Sequence, residues 1–229
     1  MAAIETGIIL KNDMNGASFE HQLRDWICRA KQIDYQVLIF DVTRVKDKKG
    51  FNNILQAIQS SNSLRLLTKS VYPINDRKKV RSYLQNIRKK SGTDFIEVKS
   101  SNEQVLNYVA KDSRIDLIKC DATSFNQGIA SLAGQNNIFI DLSFKELLLT
   151  KGSTRSKNIR QFLKIIDLCK KKGTKAIISS DVSQPVYLKH AWQKTITLGQ
   201  LLDLDLKSCN EIVKKHPKAL LEKGEVQQG

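Results

Sequence analysis

Two sets of side chains in this 229-residue chain could do chemistry, and they point to different kinds. The first is acidic. Asp41, Asp121, Asp141 and Asp181 each fall at or near the carboxyl end of an apolar, strand-like run: VLIFD, IDLIKCD, IFID and IISSD. In parallel α/β proteins that rim is where sites form, and four carboxylates there could hold Mg2+ or Mn2+ for phosphodiester cleavage. The competing reading is that they cap the following helices or pair with lysines. That reading is favoured, because no histidine or further carboxylate completes the set. His21, His190 and His216 all lie away from the strand ends, and Ser179 and Ser180 have no adjacent base. Gly-rich phosphate loops and a nucleophile elbow are absent from the sequence.

The second set is basic. Lys157, Lys164 and Lys171 are spaced seven apart with Arg160 beside them, so they share one side of a helix. Ile159, Phe162, Leu163, Ile166 and Cys169 form its apolar side. A row of cations suits a phosphate backbone. The whole chain leans the same way, with 38 Lys plus Arg against 23 Asp plus Glu and a net charge of +15. Residues 77–90 hold seven cations and no acid, and residues 151–175 hold nine cations against Asp167 alone. One such helix is usually just a solvated face. Two of them at this net charge favour a polyanionic partner. Few aromatics are placed among these cations, so recognition by shape and backbone is expected rather than base stacking.

The elements that must position these groups follow from periodicity. Apolar, β-branched runs at residues 4–10, 37–42, 64–70, 94–98, 115–120, 137–142 and 175–180 read as parallel strands covered on both faces. Between them, Ser18 is expected to cap a helix burying Phe19, Leu23, Trp26, Ile27 and Ala30, and Asp76 one burying Val80, Tyr83, Leu84 and Ile87. Another opens at 101–103, and Thr154 or Ser156 starts the basic helix. Repeated βα units argue for an α/β fold, either a doubly wound sheet or an irregular, TIM-barrel-like (β/α) barrel of mostly parallel strands. One domain over 1–229 is expected, ending in helices at 197–204 and 208–221, the second opened by a capping box at Ser208 and Glu211 and broken at Pro217. Four scattered cysteines, the lack of a bilayer-length apolar run and the lack of a leader-like start predict a reduced, cytoplasmic protein.

From 137 to 224 the chain resembles the archaeal and eukaryotic ribonuclease P protein family called component 3 in archaea. The stretches that carry the likeness are IDLSFKELL, STRSKNIRQFLKIIDLCKKKG, KAIISSDVSQP, TLGQLLDLD and SCNEIVKKHPKALLEKG. The resemblance implies a barrel related to metallohydrolases and a role as protein subunit of ribonuclease P, which removes the 5′ leader from precursor tRNA. It places catalysis and Mg2+ in the RNA, with no cofactor on the protein. Implied partners are the ribonuclease P RNA, precursor tRNA and other protein subunits, among them a small one in a heterotetramer; a membrane is not among them. The matched helix gives Arg155, Lys157 and Arg160 as RNA or partner contacts. With the charge pattern, the RNA-binding candidates are Arg77, Lys78, Arg81, Arg88, Arg155, Lys157, Arg160, Lys164, Lys171 and Lys189. Ser179, Ser180 and Asp181 form a strand-end rim. Asp181 stands where the family usually has a small residue, and residues 188–191 replace its Leu-Arg-Gly-Pro; the short ending favours an archaeal member. Two other readings stay open: a metal-dependent phosphoesterase using the carboxylate rim, and a scaffold whose exposed apolar rim or C-terminal helices hold another protein.

Overall fold

Each of the seven apolar runs forms a strand. In the computed structural model, which describes residues 3–10, 16–85, 87 and 92–228, they are β1 (Ala3–Ile9), β2 (Tyr35–Asp41), β3 (Arg65–Pro73), β4 (Phe95–Ser100), β5 (Leu117–Cys120), β6 (Phe139–Ser143) and β7 (Ala176–Ser179). They lie side by side in sequence order, every neighbouring pair parallel. The sheet then comes round on itself. The Ile9 N–H donates to the Val182 carbonyl at 2.9 Å and the Val182 N–H to the Gly7 carbonyl at 3.2 Å, nearly closing a barrel. Gly7 permits this closure, since a Cβ there would lie 2.5 Å from the Ser179 Cβ.

Helices cover the outside: α1 (Gly16–Gln32), α2 (Lys48–Ser60), α3 (Arg77–Gln85), α4 (Glu103–Val109), α5 (Gln127–Gln135), α6 (Phe144–Leu149), α7 (Gly152–Lys172) and α8 (Ala191–Leu202). Asp47, Asn102 and Asn126 cap α2, α4 and α5 through their side chains. Strand residues alternate between this outer layer and a separate apolar cluster filling the barrel: Val37, Ile39, Leu67, Phe95, Leu117, Phe139 and Ile177.

The C-terminal segment seals one end of that interior. Here α9 (Leu206–Asn210), a π-turn (Glu211–Lys215) and α10 (His216–Gln228) follow without interruption. Leu220 is fully buried against the inner cluster. Lys223 donates to the Ile115 carbonyl at 2.9 Å and pairs with Asp116 at 3.1 Å, and Gly224 sits on the Phe95 ring. The strands' amino ends are thereby closed, so a site inside the barrel can open only at the carboxyl ends.

Several expected boundaries move, each for a physical reason. Ser18 lies inside α1, and α7 starts at Gly152 rather than at Thr154 or Ser156. Because α7 packs between α5 on one side and α6 and α8 on the other, its buried face is Phe162, Ile165, Ile166, Leu168 and Cys169. Leu163 is left 36% exposed. Tyr83 is also exposed. The cap before α9 is Asp205, which accepts from the Ser208 N–H at 2.7 Å, so Ser208 sits within the helix rather than opening it. Pro217 does not break the segment. The widened π-turn before it absorbs the missing N–H. Among the described residues, no helix is long and apolar enough to cross a membrane.

Truncating the floor of the barrel tests this arrangement. Leu220→Ala should cost about 2–5 kcal/mol of stability in urea unfolding, as truncating a fully buried leucine in a packed core does.

Candidate functional site

The layer above the barrel's apolar floor is charged. Two residues beyond Leu67, Phe95, Leu117, Phe139 and Ile177, and so on the same inward face, stand Lys69, Glu97, Lys119, Asp141 and Ser179. The Lys69 ammonium is bonded to Glu97 and lies 3.4 Å from Asp141 Oδ2. Lys119 is bonded to Asp181, lies 3.3 Å from Asp141 Oδ2 and 3.9 Å from Glu97 Oε1. The Ser179 hydroxyl bridges Asp141 at 3.0 Å and Asp181 at 3.1 Å. Lys69, Glu97 and Asp141 are at most 2% exposed.

With two ammoniums against three carboxylates, this centre carries one negative charge too many for a dry interior. Burial pushes the Asp141 carboxyl up to about 6, against the pull of Lys119 and Lys69. Asp181 is partly buried, but Lys119 and Lys69 outweigh the cost of that burial and hold it down at about 2. Burial alone would discharge Lys69; Glu97 and Asp141 instead raise its pKa. Asp141 is therefore the carboxyl of this centre that takes up a proton first as pH falls.

This geometry does not favour the carboxylate-rim phosphoesterase. Among the described residues, no group of three or more His, Cys, Asp or Glu side chains is placed to hold a metal ion. The chain's own ammonium groups stand between the inner carboxylates. Asp41 turns to Thr43, accepting from its N–H at 2.9 Å and from its hydroxyl, while Asp121 is exposed at the mouth. Asp141 and Asp181 belong to the ionic centre. The three histidines are elsewhere: His21 pairs with Asp25 on α1, His190 precedes α8, and His216 meets the Ala176 carbonyl at the sealed end. The mouth is a hollow of about 340 Å3 lined by Lys99, Lys119, Asp121, Asp141 and Glu146 among others.

The three rim residues divide between two places. Ser179 and Asp181 face the interior, Asp181 with a left-handed φ of 53°. Ser180 faces outward, where its N–H and hydroxyl donate to Glu5 at 2.9 and 2.7 Å. Glu5 is fully buried and also accepts from Lys194 of α8. Burial raises its pKa, but Lys194 and these hydrogen bonds bring it below the ordinary value. Sequence reasoning missed Glu5, Lys69, Glu97, Lys119 and Lys194. For Lys69, Glu97 and Lys119 the signal was present in LTKS, IEVK and LIKC, where a charge interrupts an apolar strand at an inward position, and for Glu5 in AIETG; Lys194, on α8, left no such signal.

The basic candidates do not form one surface. Lys157, Arg160 and Lys164 of α7 line an open groove of about 340 Å3 with Ala122, Thr123 and Gln161. Lys164 donates to the Ala122 carbonyl at 2.8 Å, fixing the wall formed by the loop before α5. Lys171 stands apart, paired with Asp167 at 2.7 Å. Arg155 is half-buried at the start of α7. Arg77, Lys78 and Arg81 are exposed on α3, which packs on α4, so α4 and α5 separate them from α7. Lys189 is exposed near α6 and α8, away from the groove. Arg88 lies outside the described residues.

Comparison with known proteins agrees with this architecture. The family described as RNase P subunit p30 matches residues 11–228. Ribonuclease P protein component 3 of Methanothermobacter thermautotrophicus is 22% identical over 216 residues, covering 91% of this chain and 86% of that protein. A chain in the cryo-EM structure of archaeal ribonuclease P with mature tRNA superposes with a TM-score of 0.80 at 18% identity, over 99% of this chain and 93% of that one. An adenine deaminase from Arthrobacter aurescens shares the fold more distantly, with a TM-score of 0.52 at 9% identity over 94% of this chain and 81% of that one.

Two measurements test the ionic centre. Lys69→Met should cost about 3–5 kcal/mol in urea unfolding, because it strands buried carboxylates, whereas Lys69→Met with Glu97→Leu should recover most of that loss. The pH dependence has a definite sign. Folded Asp141, raised above its ordinary 3.8, holds a proton that the unfolded chain releases between pH 3.8 and about 6. Its contribution to stability is full below pH 3.8 and is lost as pH rises through 6. Asp141→Asn should remove that part of the slope when stability is measured from pH 4 to 7.

Proposed function

The chain belongs to the family of RNase P subunit p30 and is a protein subunit of ribonuclease P; from that premise we propose that it binds RNA without being catalytic itself. It supports the catalytic RNA as that RNA removes the 5′ leader from precursor tRNA in the cytoplasm of an archaeal cell. The observation that carries this reading is the groove of Lys157, Arg160 and Lys164, three cations on one wall with the backbone of residues 122–123 opposite. Catalysis and its Mg2+ reside in the RNA, consistent with a barrel centre filled by the protein's own lysines.

The mechanism is electrostatic. Lysines and arginines neutralise phosphates that would otherwise repel as the RNA folds and docks its substrate, releasing condensed counterions. Arg160 adds bidentate phosphate contacts that a lysine cannot make. Arg77, Lys78 and Arg81 form a second cationic patch, which an RNA reaches by passing over α4 and α5. The other partners are precursor tRNA and further protein subunits, including a small one with which the chain builds a heterotetramer.

Reconstitution tests the reading: precursor tRNA cleavage by the catalytic RNA at low Mg2+, with this subunit present, omitted or altered. Omission should lower cleavage, and independence from the subunit would sink the role. Lys157→Ala, Arg160→Ala and Lys164→Ala together should weaken RNA binding and flatten its log–log salt dependence by about 0.7–0.9 per lost contact. Lys171→Ala should leave the slope nearly unchanged, since its charge is already paired with Asp167.

A further inference from the structure

The flank of α7 opposite the cationic groove has a different character. There α6, the short 3-10 turn Pro185–Tyr187 and α8 leave Leu148, Leu149, Tyr187, Trp192 and Ile196 between 37% and 66% exposed. These are half of the ten large apolar side chains exposed among the described residues. They surround two adjoining hollows of about 360 and 260 Å3, which share Phe144, Leu148 and Lys189 as their common wall. Scattered apolar side chains on a surface need no explanation, but a contiguous apolar face with hollows beneath it marks a binding surface.

Charge narrows the occupant. The only charged residues lining the two hollows are Lys145 and Lys189. Both are exposed, and among the described residues neither ammonium shows an ion pair or a hydrogen bond. A matching surface must therefore be apolar with carboxylates at its edge. A second copy of this chain is a poor match, since it brings the same two lysines and a net charge of +15. RNA is a poor match too, because three of the five exposed side chains are aliphatic and offer no stacking surface, and the denser cations lie across α7 in the groove.

We infer that this face docks another protein subunit of the ribonuclease P assembly through an apolar segment edged with acidic side chains. The inference rests on the subunit reading and adds a location and a chemistry to it. Trp192 is the central anchor, a large side chain with one hollow beside it. Lys189, grouped by sequence with the RNA-facing cations, works here as an electrostatic guide. Helix α7 thus separates two flanks, one cationic and turned to RNA, the other apolar and turned to protein.

The test uses the full chain with the other ribonuclease P protein subunits of its source organism, each purified separately, and reads binding by calorimetry and native mass spectrometry. Trp192→Asp with Ile196→Asp should weaken binding to one of those subunits about tenfold or more while leaving RNA affinity unchanged. Lys145→Glu with Lys189→Glu should weaken the same complex several-fold, with the difference shrinking as salt rises. Hydrogen exchange on the unaltered chain should show protection of residues 144–149 and 185–197 on complex formation, a readout that does not depend on a variant folding. Unchanged subunit binding by both variants, or protection confined to other segments, would overturn the inference. Loss of RNA affinity in the Trp192 variant would make the face an RNA-stacking surface instead, and concentration-dependent self-association abolished by that variant would make it a contact between copies. If the unaltered chain binds none of the subunits and does not stimulate cleavage, the subunit reading itself fails, and this inference fails with it.

Discussion

The ionic centre of the barrel constrains everything built around it. Lys69, Lys119, Glu97, Asp141 and Asp181 come from β3, β4, β5, β6 and the turn after β7, so their mutual pairing exists only when five consecutive segments are in register. A slip of one residue on any of those strands would carry its charge to the apolar helix-facing layer. Burying charge this way is not a route to stability, since desolvation costs several kcal/mol per ion and an apolar layer would do as well. What the arrangement supplies is discrimination between correct and incorrect closure. The apolar layer beneath it, which is also contributed strand by strand, could tolerate a misregister that the charged layer cannot.

A second buried pair extends that constraint to the surface. Glu5 sits where β1 meets the end of β7, accepts from both the N–H and the hydroxyl of Ser180, and is tied to Lys194 of α8. One carboxylate therefore fixes the barrel seam and the helix that carries Trp192 and Ile196. On α7, Lys164 and Lys170 play comparable parts, the first bonded to the Ala122 carbonyl and the second to Ser208 at the start of α9. Some lysines of this basic chain thus also serve as structural fasteners, although a bond to a neutral carbonyl or hydroxyl leaves their charge available to a polyanion.

The legible and illegible parts of the sequence divide along that line. All seven strands were readable, because parallel strands buried on both faces are near-continuous apolar runs that little else in a soluble chain imitates. Helix α7 was readable as an amphipathic element, but Leu163 was put on its buried face and Ile165 was not, since a helix packed on three neighbours buries a wider arc than a single stripe. The carboxylates at the strand ends were seen as a set, yet their partners were not. Lys69 and Lys119 lie in strands, and their meeting with Asp141 depends on the slant of the closed sheet, which no local pattern records. The position of Lys189 was illegible for the same reason, since the chain between α7 and α8 passes through β7 and round to the other flank.

At the carboxyl ends of its strands, where parallel α/β barrels usually place their sites, this barrel carries salt bridges between its own side chains. A catalytic barrel must keep its mouth open to substrate, and its rim loops are committed to shaping that opening; a barrel with an ion-paired interior can commit its rim to other surfaces. In this chain the loop before α5 walls the cationic groove, and α6 together with the segment after β7 forms the apolar face. Both are βα connections at the same end of the sheet. On the proposed reading, the rim that holds substrate in enzymes with parallel barrels here holds RNA on one side of α7 and a protein on the other. The ion pairs of Lys69 and Lys119 lie beneath both surfaces and tie together the strands that carry them.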